Sequence, residues 1–263
     1  MLARLLTTAA MAGGFVAAPL PLDPAPAVTT LHYKISVGAA STIDLSAMGA
    51  GEQKNNTGLT GYFTMTLKDT TGGRALTALL DSMVVDSASQ AQAMLESAAD
   101  SAKGATWHGL LTKEGKVDNL VFVQGGTGAK QFETVLAGFF PRGEAHTRKK
   151  GDVWSDTLSY TSTANGGEVS VVLVTTFTAA GEGMYNNAKA LQINTTSVVT
   201  STGSQGEVGI EGTGAGVGEY YVTKEGGYLG GTNTINSDIV LTTPQAPLPI
   251  PLTQRTVISV SSY

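Results

Sequence analysis

Residues 31–37 read Leu-His-Tyr-Lys-Ile-Ser-Val, and this stretch decides the fold class. One set of alternating positions is apolar, namely Leu31, Tyr33, Ile35 and Val37. Because successive side chains of a strand point to opposite faces of a sheet, this alternation predicts a strand with one buried face and one solvated face. Segments of similar β-branched or aromatic character recur at residues 62–67, 117–123, 169–177, 190–199, 219–223, 239–242 and 256–260.

Glycine-containing turns separate these segments. They occur at residues 72–73, 114–115, 165–167, 203–206 and 225–227. Glycine adopts the positive φ values that tight hairpin turns require. The connections are short, so we expect neighbouring strands to pair antiparallel. Residues 244–251 hold four of the nine prolines, which predicts an extended segment before a last strand over residues 253–262.

Two helices are predicted within this β-rich pattern. Ser87-Ala88-Ser89-Gln90 has the form of a capping box and Gly104 is a typical helix stop, which predicts a helix over 88–103. A second helix is predicted over 129–139, because residues 132, 135, 136 and 139 are apolar and lie on one helical face. This apolar stripe is expected to pack on a sheet.

Together these patterns predict a mainly β protein built on one large, twisted antiparallel sheet. We expect the sheet to curl into a half-barrel or open barrel, with both helices packed on one side. Residues 28–263 are predicted to form this β-rich domain. A division into two lobes near residue 144 is the alternative.

Residues 1–27 differ from the rest of the chain. Arg4 is followed by an uncharged apolar run from Leu5 to Leu20, and Ala25-Pro26-Ala27 resembles a signal peptidase site. The segment is predicted to be an export signal, either removed or retained as an apolar N-terminus. We therefore expect a periplasmic protein that is peripheral to the inner membrane.

Composition narrows the function classes. Only 14% of the residues are charged, against about 25% in an average protein, and the formal net charge is -5. A nucleic-acid partner is not expected, since its phosphates require a broad basic surface. The chain contains no cysteine, which excludes disulfides and thiolate chemistry. His32, His108 and His146 share no catalytic or metal-binding spacing, and half-buried packing is expected for the first two. We expect no metal, no cofactor and no catalytic residue.

Two local motifs were candidates for binding. Gly212-Thr-Gly-Ala-Gly-Val-Gly218 could cradle a phosphate, but a strand follows it where nucleotide loops need a helix, so a strand edge or bend is expected. Arg148-Lys149-Lys150 is a local basic spot suited to lipid head groups or an acidic partner. Trp154, which follows it, is expected to pack inward.

The stretch Lys149-Lys150-Gly151-Asp152-Val153-Trp154 resembles a lysine-x-glycine-aspartate-x-tryptophan word of uncharacterised secreted β-rich bacterial proteins. The expected curled sheet with helices inside is similar to the architecture of the periplasmic lipoprotein-carrier superfamily, although this chain is longer and lacks a lipid-bearing cysteine. That resemblance implies that a lipid or other apolar ligand binds on the concave face. The residues it would implicate are Leu80, Met83, Met94, Phe132, Leu136 and Phe139.

These features are compatible with two functions. The first is a non-catalytic, membrane-extrinsic structural subunit that stabilises an integral-membrane protein complex, with a photosynthetic reaction-centre or antenna assembly as one candidate. Its partner or membrane contacts would be Leu5, Leu6, Phe15, Arg148, Lys149, Lys150, Leu248 and Ile250. The alternative is a periplasmic carrier that holds an apolar ligand between sheet and helices.

Overall fold

A computed structural model describes residues 27–86, 92–126, 129, 132–164, 167–246 and 248–263. Eleven strands and two short α-helices dominate these residues. The helices are α1 (Gln92–Ala102) and α2 (Phe132–Ala137). The strands are β1 (Val28–Asp44), β2 (Glu52–Thr70), β3 (Gly73–Val85), β4 (Thr106–Thr112), β5 (Val117–Gln124), β6 (Val153–Ala164), β7 (Gly167–Tyr185), β8 (Ala188–Gln205), β9 (Val208–Val222), β10 (Tyr228–Thr242) and β11 (Ile250–Ser262).

All eleven strands belong to one open antiparallel sheet, in the order β5-β4-β3-β2-β1-β11-β10-β9-β8-β7-β6. The first and last strands meet in its middle, where Ile35 pairs with Val260 and Ile43 with Leu252. The chain therefore runs outward from β1 to one edge at β5, crosses to the other edge at β6 and returns to β11. The predicted fold class, a mainly β protein with one large open antiparallel sheet and two short helices, is confirmed.

The sheet curls strongly. Strands β6 and β11 are five inter-strand steps apart, which would separate them by about 24 Å in a flat sheet. Leu158 of β6 and Val260 of β11 nevertheless line one common cavity together with Phe139. The face that carries α2 is therefore the concave face. Residues 138–152 lead from α2 to β6 and cross one end of the sheet, called here the capped end, where the amide of Gly143 donates to the carbonyl oxygen of Glu114 at 2.7 Å.

The core lies on the concave face near the capped end. Tyr33 and Ile35 of β1 are completely buried, as their alternation predicted, while His32 and Lys34 are exposed. Aromatic residues dominate this core, and the rings of Phe63 and Phe132 are 5.3 Å apart. The burial of such large apolar side chains is the main stabilising contribution in a chain without disulfides.

Both helices end before the predicted C-terminal residue, α1 at Ala102 and α2 at Ala137. Helix α1 lies within the predicted range of 88–103, whose start at 87–91 is outside the described residues. Helix α2 covers only part of 129–139 and is followed by Gly138, but Phe132, Leu136 and Phe139 are buried as the apolar stripe predicted.

Strand β3 was not predicted as a strand from the sequence. Its residues 75–80 read Ala-Leu-Thr-Ala-Leu-Leu, which lacks a clear polar alternation because Leu79 is apolar on the outward face. In the structure Leu76 and Leu80 face the core, and a bulge at Asp81 shifts the register with β2. Pairing with β2 and β4 on both sides determines this strand, and that information is not local.

Candidate functional site

The concave face of β9 is a row of glycines. Gly212, Gly214, Gly216 and Gly218 all point inward, since Gly216 pairs with the inward residues Ile235 and Ser197. A Cβ atom on Gly214 would lie 2.6 Å from the Ser237 Oγ, and one on Gly218 would lie 2.6 Å from the carbonyl oxygen of Thr232. Atoms of the neighbouring strands therefore approach the inward face of β9 more closely than a side chain on β9 would permit.

This placement refines the interpretation of the glycine motif. Strand β9 continues from the glycines to Val222 without a helix, in line with the argument against a nucleotide loop. The sequence predicted a strand edge or a bend, and the edge is wrong, since β9 is an interior strand with β8 and β10 paired on its two sides. The glycine row is a site of strong sheet curvature.

A cavity of about 280 Å³ lies in the hollow formed by this curvature. It is bounded by α2 on one side and by strands β6 to β11 on the other. Most of its lining is aliphatic or aromatic, namely Val135, Phe139, Leu158, Tyr160, Val171, Leu173, Val199, Tyr220, Tyr228, Ile235, Ile258 and Val260. The cavity extends from Tyr228 and Val260 near the capped end to Tyr160 and Thr256 farther along the strands.

Polar groups are found at the cavity wall. The Asn233 Oδ1 is buried in this wall and has no hydrogen-bond partner among the described residues. The Oγ1 of Thr195 is likewise without a partner there, but Thr195 lies on β8, across Gly218 of β9 from Asn233, and does not line the cavity. Burial raises the pKa of Tyr160, Tyr220 and Tyr228, so these phenols stay neutral at ordinary pH. The wall thus offers neutral hydrogen-bonding groups within an apolar surface.

The cavity continues into a smaller space of about 50 Å³ near the capped end, lined by Arg142 and Asp156. The Arg142 Nη1 lies 3.5 Å from the Asp156 Oδ2, and Nη2 donates to the carbonyl oxygen of Ala137 at 2.8 Å. Lys116 Nζ approaches the other Asp156 oxygen at 3.6 Å. Burial lowers the pKa of Arg142, and the negative charge of Asp156 acts in the opposite direction. Arg142 and Asp156, the charged residues that line this smaller space, are therefore paired.

The residues expected to hold an apolar ligand are only partly brought to this cavity. Phe139 lines it. Leu80, Phe132 and Leu136 are buried in the core on the other side of α2, and Met83 packs at the border of that core. Met94 lies in α1, but its side chain is outside the described part. The apolar residues of the cavity come mainly from β6 to β11. The alternation of apolar residues along these strands, next to a strand with glycine at every second position, is the sequence signal that could have indicated them.

The residues expected to contact a partner are dispersed. Leu5, Leu6 and Phe15 lie outside the described residues. Leu248 is 62% exposed, whereas Ile250, which begins β11 and pairs with Leu241, is only 6% exposed. Lys149 and Lys150 are exposed, and Arg148 is half-buried.

The three histidines are far from forming a common site. His32 on β1 contacts the Thr64 Oγ1 at 3.1 Å, His108 lies on β4 and His146 on the crossing segment. All three are exposed, so the expected half-buried packing of His32 and His108 is wrong. Both point to the convex face, opposite the core residues Tyr33 and Trp107. Within the described ranges no group of three or more His, Cys, Asp or Glu residues could hold a metal ion.

In the described part of the chain, no helix combines the length and the apolar character needed to cross a membrane.

Comparison with known proteins leaves the family open. No family model matches the chain, and no curated protein matches it significantly. Among solved structures, the chain is similar to OmpTdeltaL8, a loop L8 deletion mutant of the outer membrane protein OmpT of Vibrio cholerae, with a TM-score of 0.19 and 9% identity over 90% of this chain and 99% of that chain. The in-vitro folded trimer form of OmpT from Vibrio cholerae gives a TM-score of 0.14 and 11% identity over 90% of this chain and 100% of that one. Similarities at this level carry no argument about fold or function.

Proposed function

We propose that this protein is a non-catalytic carrier that binds one apolar ligand, such as a lipid chain, in the concave cavity. The observation that carries the proposal is the concave cavity of about 280 Å³ that lies between α2 and six strands and is lined mainly by aliphatic and aromatic side chains. Ligand sites in proteins are typically concave, mainly apolar and provided with a few oriented polar groups. This cavity has all three properties.

The size of the cavity supports a small ligand or part of a larger one. An engineered apolar cavity of about 150 Å³ accommodates benzene, with six carbon atoms. By that measure a volume of about 280 Å³ suits roughly eleven non-hydrogen atoms, such as a medium-length hydrocarbon chain. The glycine row of β9 supports a permanent cavity, because the curvature is built into the backbone and does not depend on the ligand.

The proposal includes a resemblance in architecture to the periplasmic lipoprotein-carrier superfamily. A curled open sheet with a helix on its concave face is the arrangement on which that resemblance rests. An exported, periplasmic location belongs to the same proposal. Sequencing the N-terminus of the native protein tests it, since Val28 as the first residue would support export and an unprocessed Met1 would oppose signal cleavage.

Neighbouring valines of β8 provide a direct test of the cavity. Val199 faces the cavity, whereas Val198 is 59% exposed on the opposite face. We expect wild type and Val198→Trp to bind 1-naphthylamine, a neutral fluorescent dye that matches the size of this cavity, with a blue shift of its emission, and Val199→Trp to lose this binding because the indole fills the cavity. Equal binding by all three proteins would contradict the proposal. Native mass spectrometry of protein purified in mild detergent would identify any retained lipid.

A second function, that of a membrane-extrinsic structural subunit, is favoured by the convex face. Val172, Val174, Val198 and Val217 are exposed there on β7 to β9, and Val174 pairs directly with Val198. Exposed apolar residues that lie together are typical of interaction surfaces. On this proposal the protein would dock on an inner-membrane complex, for which a photosynthetic assembly is one candidate.

Purification distinguishes the two functions. A carrier should co-purify with stoichiometric lipid, and a structural subunit should co-purify with integral-membrane subunits. A Val198→Asp variant should release such subunits without affecting dye binding in the cavity. Retention of the subunits by Val198→Asp would contradict docking through the convex valines.

A further inference from the structure

A basic cleft lies at the capped end of the sheet. Its volume is about 440 Å³, and it is lined by residues of four separate segments. The crossing segment contributes 148–150, the end of β7 contributes 181–182, the start of β8 contributes 189–191, and the turn after β9 contributes Lys224. We call this site the basic cleft, and its cations are Arg148, Lys149, Lys150, Lys189 and Lys224.

The charge of the cleft is exceptional for this protein. It holds five of the 16 lysines and arginines in a chain whose net charge is -5. The only lining carboxylate is Glu182, which contacts the Lys224 Nζ at 2.9 Å. That contact lowers the pKa of Glu182 and raises the pKa of Lys224.

The remaining lysines of the cleft form no direct ion pair among the described residues, although the charge of Lys189 also contributes to the lowered pKa of Glu182. Among the described residues, no carboxylate lies within 4.0 Å of the Nζ of Lys149, Lys150 or Lys189. Asp152 is nearby, but its Oδ2 accepts a hydrogen bond from the backbone amide of Lys149 at 2.8 Å. The cleft therefore retains an excess of positive charge, which attracts anions.

The backbone of the cleft is held in place before any ligand binds. Gly151 donates to the carbonyl oxygen of Ala179 at 2.8 Å, and Ala179 donates to that of Asp152 at 2.9 Å, so the basic loop is fixed to β7. Gly181 lies at a β-bulge with a φ of +120°, and a Cβ atom there would be 3.3 Å from the Lys150 Cδ. The aliphatic part of the Lys150 side chain thus packs over Gly181, which has no side chain to displace it.

Arg148 is held in position by hydrogen bonds and by an aromatic ring. Its Nε and Nη2 donate to the carbonyl oxygen of Gly143 at 3.1 and 2.9 Å, and its guanidinium lies 4.9 Å from the centre of the Trp154 ring. Cations that are already positioned lose less conformational entropy when an anion binds.

We propose that the basic cleft binds the phosphate of an anionic phospholipid head group and so docks the capped end on a lipid surface. The negative charge of a phosphodiester would provide the counter-ion for Lys149, Lys150 and Lys189. Leu191 and Ala190 add an apolar wall to the cleft, which suits the glycerol and first acyl carbons next to that phosphate. Each lysine close to an anionic bilayer adds about 1 kcal/mol of binding free energy, so several lysines together give stable docking.

This site is independent of the proposed carrier function. The linings of the basic cleft and of the apolar cavity share no residue. The test uses sedimentation of the full chain with vesicles of phosphatidylcholine alone or with about one third phosphatidylglycerol. We expect binding only to the vesicles that contain phosphatidylglycerol, and weaker binding as salt is raised.

The decisive variant is Lys149→Gln combined with Lys189→Gln. Both residues are exposed, so folding should be preserved, and loss of two charges should weaken vesicle binding about 30-fold at low salt. The matched control is Lys54→Gln combined with Lys103→Gln, which removes two exposed charges outside the cleft and should bind like wild type. Val199→Trp should also bind like wild type, which separates this proposal from that of the cavity.

Two results would overturn the proposal. One is equal binding of the Lys149/Lys189 variant and wild type to the anionic vesicles. The other is saturable binding of free inorganic phosphate at constant ionic strength, sensitive to the same variant, without any binding to vesicles. That outcome would assign the cleft to a soluble phosphate compound.

Discussion

The indole Nε1 of Trp154 donates a hydrogen bond to the carbonyl oxygen of Arg142 at 3.0 Å. This bond fastens the crossing segment to β6, and the side chain of Arg142 returns to the same strand through Asp156 at 3.5 Å. The Trp154 ring is also stacked on Phe177 at 5.3 Å, with 9° between the planes. The Trp154 side chain thereby contacts Phe177 of the core, Arg142 of the smaller space and Arg148 of the basic cleft.

Loss of Trp154 should destabilise the protein substantially. We expect Trp154→Ala to lower the free energy of unfolding by about 3 kcal/mol, because a large ring that packs on the core is removed and a void remains. Trp154→Phe keeps the stacking and loses the hydrogen bond, so its effect should be about 1 kcal/mol. Urea denaturation followed by circular dichroism measures both. An unchanged midpoint for Trp154→Ala would show that the residue serves only the surface.

The glycine row should not tolerate side chains. We expect Gly218→Val to destabilise the fold by about 3 kcal/mol, since its Cβ would meet the carbonyl oxygen of Thr232 on the neighbouring strand. Ala215→Val is the control, because Ala215 is exposed on the opposite face of β9, and its effect should stay within about 0.5 kcal/mol. Thermal unfolding of the two variants gives the comparison. Equal effects would mean that β9 does not curve as described.

Asn233 should lower the stability of the ligand-free protein. Its Oδ1 is buried without a hydrogen-bond partner among the described residues, and such a group costs about 1–3 kcal/mol. We expect Asn233→Leu to stabilise the ligand-free protein by about 1 kcal/mol in urea denaturation. Asn236→Leu, on the exposed face of the same strand, should have no comparable effect. Destabilisation by Asn233→Leu would indicate that the amide already has a partner.

Buried tyrosines should make the protein sensitive to alkali. Burial raises the pKa of Tyr33 and of Tyr228 far above the usual value of about 10, so the folded protein keeps both protons where the unfolded chain loses them. Their contribution to stability is complete below about pH 10 and decreases as pH rises toward the folded pKa values. Each tyrosine should reduce the free energy of unfolding by about 1.4 kcal/mol per pH unit in that range.

The variant Tyr228→Phe tests this dependence. It retains the Tyr228 carbonyl oxygen, which accepts the hydrogen bond of the Tyr33 hydroxyl at 2.8 Å. We expect the slope of unfolding free energy against pH above pH 10 to be smaller by about 1.4 kcal/mol per unit than in wild type. Urea titrations at several alkaline pH values provide the slopes. Identical slopes would exclude Tyr228 as a contributor.

Sequence patterns located much of the fold but little of the candidate site. The alternation at residues 31–37 predicted the buried positions of β1, because side-chain direction within a strand depends only on local backbone geometry. The stripe of 132, 135, 136 and 139 likewise predicted the buried positions Phe132 and Leu136 of α2 and Phe139 just after it. Leu80, Phe132 and Leu136 were expected at a ligand site, but tight contacts such as that between Phe63 and Phe132 fill this half of the concave face.

The sequence by itself determined which side chains point inward, where turns occur and that β9 carries glycine at every second position. Only the tertiary structure decided that this glycine row faces the hollow of the sheet and leaves a cavity in the half built from β6 to β11. It also decided that Lys149, Lys189 and Lys224 meet in one cleft. Both arrangements depend on strand register and sheet curvature between distant segments, and no local pattern specifies these.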